Sequence, residues 1–457
     1  MAPLTANPPA MDPKARLLRR ASCALVAAVV ALPLLAAAAH ASPVPRSRPT
    51  KAGPRAVVAV IDSGFNAYHE YFHKGGPLYG NKAPRSVTPA VLKEFGIDRD
   101  HVIRVERTGN FAEDFAKAKD EFDAIEKGEP YWFAGTNVIG VSFLPDKQRL
   151  RPDGGASSHG IGTAAAVLTA NPDAIVVAVE DISPESEEWA FTHPAVDVVT
   201  TSYGPATSYP TLNHLSNSYT GVVENGKAHF GAAANDPTYS GLDETSGPWW
   251  SIGIAGFEEG ASEGRQVSSG QVPDFVGDFT QELPYCRSCE EGLREVGGTS
   301  FATPRSAGTF SKILLEARRA AAHSGGILTP GKREPLLVGG KLGLTVWEMR
   351  RALEEAAYYP TTADYGTEGG PDPTSVPVND AAPWVQTGWG LISPARQFEV
   401  VKEALAHLGV AGKPAREKPQ EACDFMTRNM EARHAYWDRL AILGQAYGKN
   451  EDPYVYC

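Results

Sequence analysis

The feature that most restricts the fold of this chain is a series of short, almost wholly apolar runs separated by stretches with helical spacing. Such runs, bounded by polar turns, are typical of strands buried on both faces of a parallel sheet. Their alternation with helices predicts an α/β fold with a doubly wound, mostly parallel β-sheet flanked by helices. The five clearest runs are Ala56–Ile61, Ala174–Val179, Val196–Thr201, Phe230–Ala234 and Ser251–Ala255.

Three segments between or after these runs have helical patterns. The small apolar residues of His159–Leu168 predict a buried helix, and Thr303–Ala322 predicts a long one. Ser183, Pro184 and Glu185 suit an N-cap, a first-turn proline and an acid near the positive end of the helix dipole, so a helix is expected to begin there.

Two regions differ from this alternating pattern. Residues from about 76 to 150 are more polar, and we interpret them as an insertion in a core domain that spans 56–411. Within the insertion, Phe111–Lys127 predicts a charged helix and Tyr131–Phe143 predicts a strand. The last residues, 412–457, predict a helical tail, with its helix at Asp424–Tyr447.

The first residues predict a secretory signal peptide, 1–41. A basic region precedes the apolar stretch Ala21–Ala39, and Ala39-His40-Ala41 has the small-x-small pattern of a cleavage site. An uncleaved membrane anchor is the alternative, because the apolar stretch is just long enough to span a bilayer. Cleavage predicts a secreted, extracellular protein with no membrane attachment, which begins with a short Pro- and Arg-rich linker, 42–55.

Charge and cysteine content narrow the function classes. A net charge of −11 argues against nucleic acid as a partner, because phosphates need a basic surface.

Export makes disulfides plausible, and four cysteines remain after signal removal, so three connectivities are open. The most local one pairs Cys286 with Cys289 and Cys423 with Cys457. The Cys286–Cys289 spacing also suits half a zinc site or a redox pair.

Three short motifs occur in a fixed order. Asp62-Ser63-Gly64 ends the first apolar run, Ser158-His159-Gly160 opens the small-residue helix, and Gly298-Thr299-Ser300 opens the long one. The order Asp, His, Ser is that of subtilisin, and it differs from the order in other folds with the same catalytic groups. These segments resemble the subtilisin-like serine proteases, or subtilases, of the secreted bacterial type. The resemblance covers roughly residues 56–408 outside the insertion.

The resemblance implies a role for each matched residue. Ser300 would be the nucleophile, His159 the general base and Asp62 the acid that orients it. Asn235, which follows three alanines at a strand end, would donate its side-chain amide to the oxyanion. In addition, the segment Ser202-Tyr203-Gly204 would pair with the substrate backbone as an added strand.

Some positions depart from the family pattern. Ile161 stands where the family usually has Thr, Ala234 where it has Gly, and Arg305 where it often has His. We interpret His69, which follows the Asp motif, as structural. The linker 42–55 leaves no room for the prodomain that many secreted relatives carry before the first strand.

The sequence therefore predicts a secreted serine endopeptidase that acts on protein or peptide substrates and requires no cofactor. Calcium sites are common in the family, but no loop motif here assigns ligands, and nothing in the sequence assigns an oligomeric state. One alternative is a dedicated precursor-processing protease or peptide cyclase, favoured by the insertion and the short linker. Another is a non-catalytic binding protein on a subtilase fold.

An acidic stretch, Glu180–Glu188, has two interpretations. It can border a substrate subsite and favour basic side chains, or it can form a solvated helix face. The sequence favours the solvated face, since runs of charge are usually exposed to water.

Overall fold

The apolar runs of the sequence become strands of one ten-stranded sheet in the computed structural model. The structure describes residues 53–146, 148–152, 158–203, 211–233, 235, 244–257, 272–320, 345–359, 382–392 and 396–439. The predicted signal peptide and most of the linker lie outside these residues. All of the described residues belong to one compact unit.

The strands are numbered in chain order. They are β1 (Val57–Asp62), β2 (Val102–Ile103), β3 (Tyr131–Phe133), β4 (Val138–Ser142), β5 (Ile175–Glu180), β6 (Val198–Thr201), β7 (Ala228–Ala232), β8 (Ile252–Phe257), β9 (Phe275–Asp278), β10 (Thr280–Leu283), β11 (Arg294–Gly297) and β12 (Leu391–Ile392). The large sheet has the order β12-β9-β8-β7-β6-β1-β5-β4-β3-β2, and β10 and β11 form a separate hairpin.

The helices are numbered in the same way. They are α1 (Pro89–Glu94), α2 (Phe111–Asp123), α3 (His159–Ala170), α4 (Pro184–Thr192), α5 (Thr211–Tyr219), α6 (Thr299–Ala320), α7 (Val346–Ala356), α8 (Trp384–Thr387), α9 (Gln397–His407) and α10 (Gln420–Arg439). The predicted helix start at Ser183 is confirmed, since Ser183 and Ser186 form a capping box at the beginning of α4.

Strand β1 lies in the middle of the sheet, and its alternate side chains enter two different apolar cores. Val58 and Val60 pack in the core that also contains α3 and α6. Val57 and Ile61 pack in the core that contains α1 and α4. Because helices cover both faces, the prediction of a doubly wound, mostly parallel sheet is confirmed.

The polar segment predicted as an insertion continues the main sheet. Strand β4 pairs in parallel with β5, and β3 and β2 follow it at that edge. The prediction of one strand over Tyr131–Phe143 is wrong, because β3 and β4 are two antiparallel strands. The chain turns between them at Gly135, whose φ of +84° is accessible to glycine at little strain.

Helices α3 and α6 lie side by side, and small residues let them approach closely. A side chain at Gly162 would place its Cβ 2.8 Å from the Phe301 ring, and one at Gly308 would place it 2.5 Å from the Val167 carbonyl oxygen. Asn171 Nδ2 donates to Ser311 Oγ, 140 positions later. The other two contacts have nearly the same spacing, so the helices run parallel and begin at the same level.

Candidate active site

The carboxyl end of β1 carries the first group of the candidate site. In the sheet order, β1 has β5 on one side and β6 on the other, so the strand order reverses there. Ligands of open α/β sheets bind in the crevice at such a switch point. Asp62 is the last residue of β1 and is 5% exposed.

Asp62 is paired with His159, the first residue of α3. The imidazole Nδ1 lies 2.8 Å from Asp62 Oδ2 and 3.0 Å from Oδ1. The contact requires close approach of the two backbones. A Cβ at Gly160 would lie 2.2 Å from the Gly64 carbonyl oxygen, so this approach requires a glycine at position 160. This geometry fixes which ring nitrogen faces the carboxylate.

Further donors surround the Asp62 carboxylate. Oδ1 accepts from the Ser63 backbone N–H at 2.7 Å and from the Ser63 hydroxyl at 3.0 Å. Oδ2 accepts from the Thr163 hydroxyl at 3.1 Å. Thr163 is fully buried one turn after His159 on α3. A buried carboxylate with several donors is held in one orientation.

The pKa of His159 responds to two opposing effects. Burial lowers the pKa, but the hydrogen bond and the charge of Asp62 outweigh burial and raise the pKa above its usual 6.5. The side chain is 26% exposed, so the ring is accessible from the crevice. The arrangement suits a group that accepts a proton and is stabilised as a cation.

Ser300 lies in the first turn of α6, where backbone N–H groups have no helical partner and the dipole is positive. Its hydroxyl donates to the Ser202 carbonyl oxygen at 3.2 Å. In return, the Ser202 hydroxyl donates to the Ser300 carbonyl oxygen at 2.8 Å. The two segments that the sequence assigns to the nucleophile and to substrate binding are therefore in direct contact.

The parallel alignment of α3 and α6 brings the starts of the two helices together. His159 begins α3, and Ser300 is the second residue of α6. The Phe301 ring lies with its centroid 5.3 Å from that of the His159 imidazole. The carboxylate, imidazole and hydroxyl groups thus occupy neighbouring element ends at one edge of the sheet.

Asn235 follows β7 and is oriented by Thr299. Its side-chain Oδ1 accepts from the Thr299 backbone N–H and from the Thr299 hydroxyl, both at 2.9 Å. With the oxygen anchored, Nδ2 remains as a donor beside the start of α6. Gly298 has a φ of +145°, and a Cβ there would lie 3.3 Å from Asn235 Nδ2.

Tyr203 is held by buried polar groups. Its hydroxyl donates to Glu187 Oε1 at 2.7 Å, and His214 Nδ1 lies 2.9 Å from the same oxygen. Gly204, the third residue predicted to bind substrate, lies outside the described residues.

The expectation of a solvated acidic face at Glu180–Glu188 is wrong for two of its members, since Glu180 and Glu187 are 2% and 5% exposed.

Sequence reasoning missed the residues that orient the predicted groups. Thr299 lies in the Gly298-Thr299-Ser300 motif and Glu187 in the acidic stretch Glu180–Glu188, but no orienting role was predicted for them or for Thr163. Thr163 offered one signal, because it follows His159 by four positions on a helix and so shares its face. No comparable signal indicated the orienting roles of Thr299 and Glu187, because their partners are distant in the sequence.

The structure pairs the sulfur atoms of Cys286 and Cys289, whose Cα atoms are 5.8 Å apart. Asn66 Nδ2 donates to both cysteine carbonyl oxygens, at 3.1 and 2.9 Å. His69 is fully buried, and its Nε2 lies 2.9 Å from the Gly292 carbonyl oxygen, which suits a structural role. Cys423 is buried, while Cys457 lies outside the described residues.

The described residues contain no group of three or more His, Cys, Asp or Glu side chains that could hold a metal ion. None of their helices has the length and apolar character needed to cross a bilayer.

No protein-family model and no curated protein matches this chain. Solved structures do. "Crystal Structure of a Lanthipeptide Protease" matches with a TM-score of 0.42 and 13% identity over 77% of this chain and 88% of that chain. "Structure of Prenylagaramide maturation protease PagA" matches with 0.40 and 14% over 79% and 95%. "Crystal structure of a cold adapted subtilisin-like serine proteinase" matches with 0.37 and 15% over 72% and 91%. Likenesses this distant do not assign a function.

Proposed function

We propose that this chain is a secreted serine endopeptidase of the subtilisin type. The observation that carries the proposal is the ion-pair geometry at the end of the central strand. Asp62 binds His159 Nδ1 at 2.8 Å, beside the helix start that holds Ser300. Asn235 accepts from the backbone N–H of Thr299, the residue before Ser300, and Ser202 contacts Ser300 directly.

The first chemical step is acylation. The Ser300 hydroxyl turns from the Ser202 carbonyl toward His159 Nε2, which accepts its proton as Oγ attacks the scissile carbonyl carbon. Asp62 holds the imidazole with Nδ1 protonated and stabilises the imidazolium. Asn235 Nδ2 and the Ser300 backbone N–H donate to the tetrahedral oxyanion. His159 then gives the proton to the leaving amine, and the C–N bond breaks.

The second step is deacylation. A water molecule attacks the acyl carbonyl while His159 takes a proton from the water. The tetrahedral intermediate collapses, the proton returns to Ser300 Oγ, and the carboxylic acid product leaves. The substrate backbone would lie along Ser202 and Tyr203 as an added strand. Neither step draws on a cofactor.

The test is to treat the purified chain, without residues 1–41, with a fluorescent fluorophosphonate. Wild type should be labelled, and Ser300→Ala and His159→Ala should not. Ser306→Ala is the matched control, because Ser306 lies on the same helix and its hydroxyl donates to the Ala302 carbonyl oxygen. This variant should be labelled like wild type. Hydrolysis of an unfolded protein substrate should follow the same pattern.

Labelling that persists in Ser300→Ala would overturn the assignment of the nucleophile. A wild type that is folded, unlabelled and inactive would support the non-catalytic alternative. A peptide library separates the remaining alternatives, since a general endopeptidase should cut many sites and a dedicated processing protease only a few.

A further inference from the structure

Helix α10 carries a buried arginine that is bound to a distant loop. Arg433 is 4% exposed. Its Nε donates to the Gly247 carbonyl oxygen at 2.8 Å, and its Nη2 donates to those of Ser246 and Pro248, both at 3.0 Å. Its Nη1 also binds the buried carboxylate of Asp274 at 2.9 Å. One guanidinium therefore satisfies three consecutive carbonyl groups, a geometry that a lysine ammonium cannot reproduce.

The opposite side of this loop packs on β7. The Thr245 hydroxyl donates to the Ala232 carbonyl oxygen at 3.2 Å and is 3.5 Å from that of Tyr203. A Cβ at Gly231 would lie 2.1 Å from the Thr245 carbonyl oxygen, so the loop touches the strand backbone. Displacement of the loop would therefore displace the end of β7.

The end of β7 leads directly to the proposed oxyanion donor. Ala232 is the last residue of the strand, and Asn235 follows three positions later. Asn235 in turn binds Thr299, the residue before Ser300. Arg433 is thus connected to Asn235 through its hydrogen bonds to the loop, the contact of Thr245 with Ala232, and the chain that follows β7.

We propose that Arg433 is a positioning residue for Asn235, so that α10 acts as an intramolecular strut for the oxyanion-binding side of the active site. This inference rests on the proposed function. A misplacement of about 1 Å weakens an oxyanion donor, because the donor must meet the charge that develops only in the transition state. Loss of the strut should therefore lower kcat and leave KM nearly unchanged.

The test compares Arg433→Lys with Arg428→Lys, an exposed arginine on the same helix. Each is made in the wild-type and in the Asn235→Ala background, and kcat and KM are measured on one peptide substrate. We expect Arg433→Lys to lower kcat about tenfold in the wild-type background and less than about twofold without Asn235, because the effect passes through that amide. Arg428→Lys should change neither constant.

Thr245→Val provides a second variant, because it cuts the same series of contacts at its other end and keeps the side-chain size. It should reproduce the selective fall in kcat. Hydrogen exchange of peptides that cover residues 231–250 gives a readout independent of activity, and exchange should rise in Arg433→Lys and not in Arg428→Lys.

Equal falls in kcat with and without Asn235, or an effect on KM alone, would overturn the inference. Unchanged hydrogen exchange would do so as well. Absence of hydrolysis by folded wild type would instead overturn the proposed function, and hydrogen exchange alone would then decide whether Arg433 holds the loop.

Discussion

The two halves of the candidate site are held in place by different parts of the chain. The acid–base half, Asp62 and His159, is oriented by residues of its own motifs, because Ser63 adjoins Asp62 and Thr163 lies one turn from His159. The nucleophile–oxyanion half depends on distant partners. Ser202 lies 98 positions before Ser300, and Asn235 lies 64 positions before Thr299.

This difference separates two kinds of function in one site. The acid–base half determines at which pH a proton can be transferred, since it contains the titratable imidazole. The nucleophile–oxyanion half determines how well the developing charge is stabilised, and its donors are an amide and backbone N–H groups that do not titrate. Substitutions in the two halves should therefore leave different kinetic signatures.

The largest effect is expected from Asp62→Asn. An asparagine amide favours the wrong imidazole tautomer and cannot stabilise the imidazolium, so kcat should fall about 10⁴-fold, as in other proteases of this mechanism. Steady-state hydrolysis of a peptide substrate measures the change. Ser63→Ala removes only one of several donors to the carboxylate and serves as the control. A fall of less than tenfold for Asp62→Asn would contradict the role of Asp62.

A smaller effect is expected from Asn235→Ala. Removal of one oxyanion donor should lower kcat about 10²–10³-fold with little change in KM, the range known for such a donor in subtilisin. The matched control is Asn225→Ala, because the Asn225 amide donates to the Phe191 carbonyl oxygen at 3.3 Å, away from the site. If KM rose and kcat stayed constant, Asn235 would bind substrate and transition state equally.

The fold was predictable where local composition alone decides the structure. The runs that became β1, β5, β6, β7 and β8 are apolar on both faces, so strands in a covered sheet were the consistent solution. The hairpin of β3 and β4 was missed because its turn sits between two apolar segments that together resemble one strand. The turn over 134–137 separates them, with a positive φ at Gly135 and a hydrogen bond from the Thr136 N–H to the Phe133 carbonyl oxygen.

The sequence predicted which side chains form the candidate site, but it did not predict the residues that hold them in place. The motifs place Asp62, His159 and Ser300 at element ends, and a parallel sheet brings such ends together. The burial of Glu187 was unpredictable, because it depends on Tyr203 and His214 reaching it across the fold. For the same reason no local pattern marks Arg433.

The pH dependence of hydrolysis tests whether proton transfer depends on the acid–base half alone. His159 must be neutral to accept a proton, and Asp62 raises its pKa above 6.5, so kcat/KM should increase with pH with a midpoint above 6.5. At pH 5.5 the rate should lie about tenfold or more below its plateau. The midpoint should be the same in Asn235→Ala, because the amide does not titrate.

A second group titrates in the same range and needs its own control. Burial raises the pKa of Glu180 to about 7, and Glu180 pairs in register with Asp62 across β5 and β1. Glu180→Gln should leave the midpoint unchanged if His159 sets it, whereas Asp62→Asn should lower it. A midpoint that followed Glu180, or one that moved in Asn235→Ala, would mean that the two halves of the site do not divide proton transfer and charge stabilisation between them.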